Sequence, residues 1–198
     1  MKPKQILPVI ALVLILGPAA SRVLLKPEPP PPVATVRPPE PELPAPPASA
    51  QDWFAQIKPR CTPADVRLAT DLRPPPDGVE GTGYKAACFA LARQVPTARA
   101  FLLGLPRDEQ VVGASVVYDV AQQLASENRH DIAGPLMELV LEFWPDHYLA
   151  LFEAGKARYV SGDLHAAQGL LGRFLEVYVG DDSLVANARR MMGGTAES

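Results

Sequence analysis

Few side chains here are of types that do chemistry, and their spacing decides what they can be used for. The three histidines, His130, His147 and His165, fall at breaks or starts of helical segments, and none stands in a His-Glu-x-x-His pattern. They read as surface or capping residues rather than metal ligands or proton carriers. Ser115, Ser126, Ser161 and Ser183 lack the strand-to-helix turn that exposes a nucleophile. Glu138 and Glu142 lie one helical turn apart, which a solvated face explains more simply than acid–base work. The stretch from Arg73 to Thr82, with Gly78, Gly81 and the following Gly83, suggests a phosphate-cradling turn. It has neither a preceding strand nor the Gly-x-Gly-x-x-Gly spacing that such a turn needs. Cys61 and Cys88 are not a Cys-x-x-Cys pair, so they do not form a redox site of that kind. A net charge of −3 leaves no basic footprint for nucleic acid. These residues predict no enzyme, no catalytic or metal site and no cofactor, with an unrecognised enzyme the weakest of the functional alternatives.

What organises the chain instead is self-similarity at a spacing of 34 residues between Ala114 and Asp182: Ala121 matches Gly155, Leu124 matches Arg158, Asn128 matches Gly162, Ala133 matches Ala167, Leu136 matches Leu170 and Val140 matches Phe174. Each copy reads as a helix, a short polar break and a second helix. In the first copy Val117, Ala121, Leu124 and Ala125 face inward from a helix beginning at Asp108 and reaching about Ser126. Its partner, from Asp131 to Trp144, buries Ile132, Leu136, Leu139, Val140 and Phe143, one face at helical spacing.

The run from Leu151 to Ala167 closely resembles the tetratricopeptide repeat family, in which a 34-residue helix-turn-helix unit is stacked in tandem. Gly155, Gly162 and Ala167 stand where that pattern has a small residue, a helix-ending glycine and an alanine at the close helix crossing. The preceding copy has Asn128 in place of the glycine, a residue that also accepts a left-handed C-cap. Its Pro135 is compatible with a second helix starting close to Asp131. A weaker copy precedes both: Tyr84 to Gln94 and Pro96 to Leu103 form its helices, with Arg99 in the place of Ala133 and Ala98 next to it. The resemblance implies an all-α, solenoid-like stack of two to three helical hairpins with additional N-terminal and capping helices. It also implies a groove lined by the first helix of each repeat. Carried onto this sequence, the groove residues are Tyr118, Gln122, Phe152, Lys156 and Tyr159, and each set forms a single stripe on its helix. Tyr118, Phe152 and Tyr159 equally suit packing between repeats.

The remaining segments place this domain. Residues 1–5 carry Lys2 and Lys4, and residues 6–26 are apolar apart from Arg22 and the flanking Lys26, twenty-one residues in all. At about 1.5 Å per residue that length spans a bilayer core of roughly 30 Å. The positive-inside bias puts the start in the cytoplasm and the rest outside it, at a bacterial inner membrane. A cleavable signal peptide is the competing reading. Eleven of the twenty-four residues in 27–50 are proline, a polyproline II spacer or a ligand for an aromatic groove. The folded domain is expected over 51–192, opening with a helix capped by Asp52 and one begun by Thr62-Pro63-Ala64-Asp65. A last helix, begun by Asp181 or Asp182, would cover the end of the stack with Leu184, Val185, Ala188 and Met192, leaving 193–198 as a tail. In an exported domain Cys61 and Cys88 favour a disulfide, against two free buried thiols. Two function classes follow: a membrane-tethered scaffold that captures a partner protein during envelope assembly or trafficking, or a permanent accessory subunit of a membrane complex.

Overall fold

The structure, a computed structural model, describes residues 47–193, which are helical with no strand among them. The apolar segment 6–26, most of the proline-rich segment and the residues after 193 lie outside the described residues. Among the described residues, no helix is long and apolar enough to cross a membrane. The elements are α1 (Ala50–Ile57), a 3-10 turn (Lys58–Arg60), α2 (Val66–Leu72), α3 (Val79–Leu91), α4 (Val95–Leu103), α5 (Gln110–Ser126), α6 (His130–Phe143), α7 (Tyr148–Val160), α8 (Leu164–Val177) and α9 (Ser183–Gly193).

Helix α1 starts two residues before the expected Asp52, because Ser49 is its cap. The Ser49 hydroxyl accepts from the Asp52 amide at 3.0 Å, a side-chain N-cap, and donates to the Asp52 carboxylate at 2.8 Å. Thr62 and Asp65 repeat that arrangement, with the Asp65 amide 3.2 Å from the Thr62 hydroxyl, although regular helix begins only at Val66. Helix α3 departs most from expectation. It starts at Val79 rather than Tyr84, so Gly81 and Gly83 belong to its first turns and not to a loop. Both are glycine because other chain segments press against them. A Cβ on Gly81 would lie 1.8 Å from the Pro76 carbonyl oxygen, and one on Gly83 2.8 Å from Val116 Cβ of α5.

Three hairpins follow, α3–α4, α5–α6 and α7–α8, with α5 packed on α3 and α7 packed on α6. Each is closed the same way. The amides of Arg93 and Gln94 donate to Ala90 and Phe89, those of Asn128 and Arg129 to Ala125 and Leu124, and those of Gly162 and Asp163 to Tyr159 and Arg158, all at 2.9–3.0 Å. This is the Schellman arrangement, which needs a left-handed residue just past the helix end. Arg93, Asn128 and Gly162 supply it with φ of +60°, +58° and +83°. The first hairpin is therefore offset by 35 residues from the second, one more than the later spacing. That offset puts Ala98, not Arg99, at the buried crossing occupied elsewhere by Ala133 and Ala167. Arg99 instead points outward and pairs with Glu142 of α6.

The core is built from small residues along the first helices, Ala86, Ala87, Ala114, Ala121, Ala150 and Ala154, and larger ones from the second, Leu102, Leu136, Met137, Leu139 and Val140. Small side chains let helix axes approach, and the larger ones fill the space between them. Helix α6 starts at His130, one residue before the expected Asp131, which carries Pro135 past the first turn; its ring is exposed, and only the hydrogen bond to the Asp131 carbonyl is forfeited. Leu151, Phe152, Leu171 and Phe174 make a second cluster with Val185 and Ala188 of α9. The last helix thus covers the end of the stack through Val185 and Ala188, with Leu184 and Met192 packed at the edge. Its cap is Asp182, whose carboxylate accepts from the Leu184 amide at 2.9 Å.

Candidate functional site

Tyr118 and Gln122 lie one turn apart on α5, and the Tyr118 hydroxyl donates to Gln122 Oε1 at 3.1 Å. On α7, Phe152, Lys156 and Tyr159 keep the same stripe but differ in burial. Phe152 is 4% exposed and lies 5.3 Å from the Phe174 ring, so most of its surface belongs to the core. Tyr159 is 37% exposed. Lys156 sits between them with its ammonium 3.9 Å from Glu153, a long pairing for a partly covered lysine.

The structure brings Phe152, Lys156 and Tyr159 together at a cleft of about 520 Å³ whose opposite wall is α9: Leu184, Asn187, Arg190 and Met191. Tyr118 and Gln122 do not line this cleft; they lie on the neighbouring helix α5. The α9 residues and Glu153 were missed by sequence reasoning, which assigned α9 to capping alone. A signal was present in the numbering. Asp119, Glu153 and Asn187 are spaced by 34, as are Gln122, Lys156 and Arg190, so α9 continues the register of the first helices. The first series carries carboxylates on α5 and α7, and the second carries cations on α7 and α9. The Arg190 guanidinium donates to Asn187 Oδ1 at 2.9 Å, and among the described residues it forms no ion pair with a carboxylate. Glu153 Oε2 is buried with no hydrogen-bond partner, as is His130 Nδ1 at the start of α6. Burial and the Lys156 ammonium hold the His130 pKa below the ordinary histidine value, against the opposing pull of Glu153 and Asp131.

At the other end α1 lies against α3 and α5. Phe54 stacks on Tyr84 with centroids 5.0 Å apart, and the Lys58 ammonium donates to Gln123 at 3.2 Å. A shallower cleft of about 250 Å³ remains there, lined by Phe54, Lys58, Tyr84, Asp119 and Gln123 among others. The position of α1 is fixed from two sides. Its Trp53 indole donates to the Arg73 carbonyl at 2.8 Å, and the chain just beyond it is tied to α3 by the disulfide between Cys61 and Cys88, both buried.

No family model matches the sequence, and comparison with curated proteins and with solved structures finds no match. The chemistry of the site therefore rests on its own residues. Among the described residues no group of three or more His, Cys, Asp or Glu is placed to hold a metal ion. His147 serves α7 as its N-cap: its ring Nδ1 accepts from the Ala150 amide at 3.2 Å, one of the two roles the sequence suggests for the histidines. Burial holds its pKa below the ordinary value, opposed by its own carbonyl and by Asp119. The arrangement as a whole offers an apolar wall and two cations in one open cleft, with the Glu153 carboxylate beside Lys156. Such a surface can hold a peptide.

Proposed function

We propose that this chain is a membrane-tethered interaction scaffold whose tetratricopeptide-like domain, exported across a bacterial inner membrane, captures a partner protein through the α5–α7–α9 face. The observation that carries this reading is the cleft between α7 and α9, where Lys156 and Arg190 stand one 34-residue interval apart beside Phe152, Tyr159 and Met191. Supporting it are the three identically closed hairpins, which agree with the repeat pattern seen in the sequence. Tethering rests on the apolar length of residues 6–26. The partner is an extended or helical protein segment with an acidic stretch for Lys156 and Arg190 and an apolar side chain for Phe152 and Met191.

The test is recovery of partners from solubilised native membranes by mass spectrometry, comparing the wild type with Lys156→Glu. Charge reversal is expected to deplete specific partners tenfold or so, of the order seen for charge pairs at interfaces, while the circular dichroism spectrum stays that of the folded domain. Equal recovery with both proteins removes the groove assignment.

A further inference from the structure

The ring of His147 does more than cap a helix. It lies 4.2 Å from the Tyr118 ring of α5 and 4.4 Å, edge-on, from Trp144 at the end of α6. Behind it a run of ring contacts leads through Tyr148, Tyr178 and Phe174 to Phe152 in the wall of the cleft, each step from Tyr148 onward between 4.8 and 5.3 Å. One imidazole thus joins the Tyr118 stripe, the α6–α7 link and the N-terminus of α7.

We propose that His147 is a proton-operated latch on this face: neutral, it caps α7, and protonated, it gives up the cap and frees the N-terminus of α7 beside Tyr118. The reason is one of proton inventory. The Ala150 amide is a donor, so Nδ1 accepts only while it carries no proton, and the neutral ring places its single proton on Nε2. Acidification puts a proton on Nδ1, turns the acceptor into a donor facing an N–H, and sets a cation at the positive end of the α7 dipole. The charged and titratable groups around the ring do not cancel this. From α5 they are Asp119, whose charge favours the cation, and Tyr118, whose ring favours it more weakly; from α7 there is Tyr148. In the link Asp146 is already engaged by Arg173 of α8 at 3.7 Å, and Arg173 also donates to the Pro145 carbonyl at 2.8 Å. Burial outweighs Asp119, and the ring is held neutral to a lower pH than a free histidine.

The sign follows. A histidine with its pKa lowered by folding contributes stability that is fully present above about pH 6.5 and is lost as pH falls through the lowered folded value. That the latch controls partner capture rests on the groove reading above; the latch itself does not.

The experiment uses the full chain in detergent. Histidine C2-proton exchange, read by mass spectrometry, follows protonation of His147, and amide exchange of peptides containing Ala150 follows the cap. Protection at Ala150, corrected for the intrinsic pH dependence of exchange, is expected to fall about fivefold as His147 protonates, the size of a lost side-chain cap. His147→Asn keeps a capping oxygen but cannot titrate, so it should hold neutral-pH protection and abolish the step. A wild-type protection that ignores His147 protonation, or a step that survives in His147→Asn, overturns the latch. Partner recovery at neutral and acid pH then tests its use. Recovery lost on acidification in the wild type and retained in His147→Asn supports regulation, and recovery equally pH-dependent in both refutes it. Lys156→Glu, which leaves the latch intact, reports separately on the groove.

Discussion

Gly155 and Gly169 set up a substitution test in which most of the physics cancels. Both lie inside helices, on α7 and α8. Replacing either with alanine gains about 1 kcal/mol of helix propensity, because glycine gives up more backbone freedom on folding. They differ only in what the new methyl group meets. At Gly169 nothing lies within 4 Å. At Gly155 the methyl would sit 2.7 Å from Leu171 Cγ, 2.9 Å from its Cδ2 and 3.3 Å from Leu170 Cβ. Leu171 is fully buried beside Phe152 and Phe174, and its Cγ is a branch atom that cannot turn aside as a chain end can. Forcing a methyl into such a site costs about 1–3 kcal/mol. Gly169→Ala should therefore raise stability by up to about 1 kcal/mol. Gly155→Ala should lie about 1–3 kcal/mol below it, a difference that no uncertainty in propensity can produce. Urea unfolding followed by helical circular dichroism measures both, and for a domain of this size each kcal/mol moves the thermal midpoint by roughly 2–4 °C. Equal gains in the two variants would mean that α7 and α8 do not approach as closely as the Leu171 contact requires, and the small-residue account of the hairpin would fall.

Two further outcomes follow from the same structure. Replacing both Cys61 and Cys88 by alanine opens a loop spanning 27 positions. Loop-closure entropy makes that worth about 3.5 kcal/mol, so the unfolding midpoint should drop steeply, and an unchanged midpoint under strong reductant would show that the bridge constrains nothing. Arg93→Gly should stabilise by about 1 kcal/mol by relieving a left-handed backbone, whereas Gly162→Ala, with no side-chain obstacle nearby, should destabilise by a similar amount. Opposite signs in calorimetry are the check. The exposed Arg93–Asp131 pair lost in the first variant is too solvated to reverse its sign.

Much of this fold was legible because helices and their ends are written locally. Asn128 was read as a left-handed cap and has φ of +58°; the cysteine pairing followed from an even count; Val185 and Ala188 cover the end of the stack as expected. What was not legible depended on tertiary contact. Gly81 and Gly83 looked like loop residues, since a glycine needed for close packing and a glycine needed for a turn are the same letter. Arg93 gives no hint that it takes a left-handed conformation; the hairpin imposes it. His147 was read only as a surface or capping residue; its burial against Tyr118 and Trp144 is supplied by the fold and could not be read from spacing. The candidate site was half visible: its α7 stripe could be read from spacing. Its α9 wall could have been, had the 34-residue register been carried past Tyr178.

The two ends of the groove-bearing face are finished differently, and that difference bears on the proposed partner. At the α3 end the chain's own α1 is already docked, through Phe54 on Tyr84 and Lys58 on Gln123, and the disulfide and the Trp53 hydrogen bond restrain the segment that follows it. Displacing α1 would forfeit buried Trp53, Phe54 and Ile57, each worth about 1.5–3 kcal/mol of burial, so a ligand competing there starts at a loss that one shallow cleft does not return. At the α9 end no such occupant exists among the described residues, the cleft is about twice as large, and Lys156 and Arg190 stand in its walls. On the proposed function the partner's acidic portion therefore belongs beside Lys156 and Arg190, with the chain running toward Tyr118 and Gln122. Tyr118 is also the residue the His147 ring packs against, which places proton control at the ligand's path and not at its charged anchor.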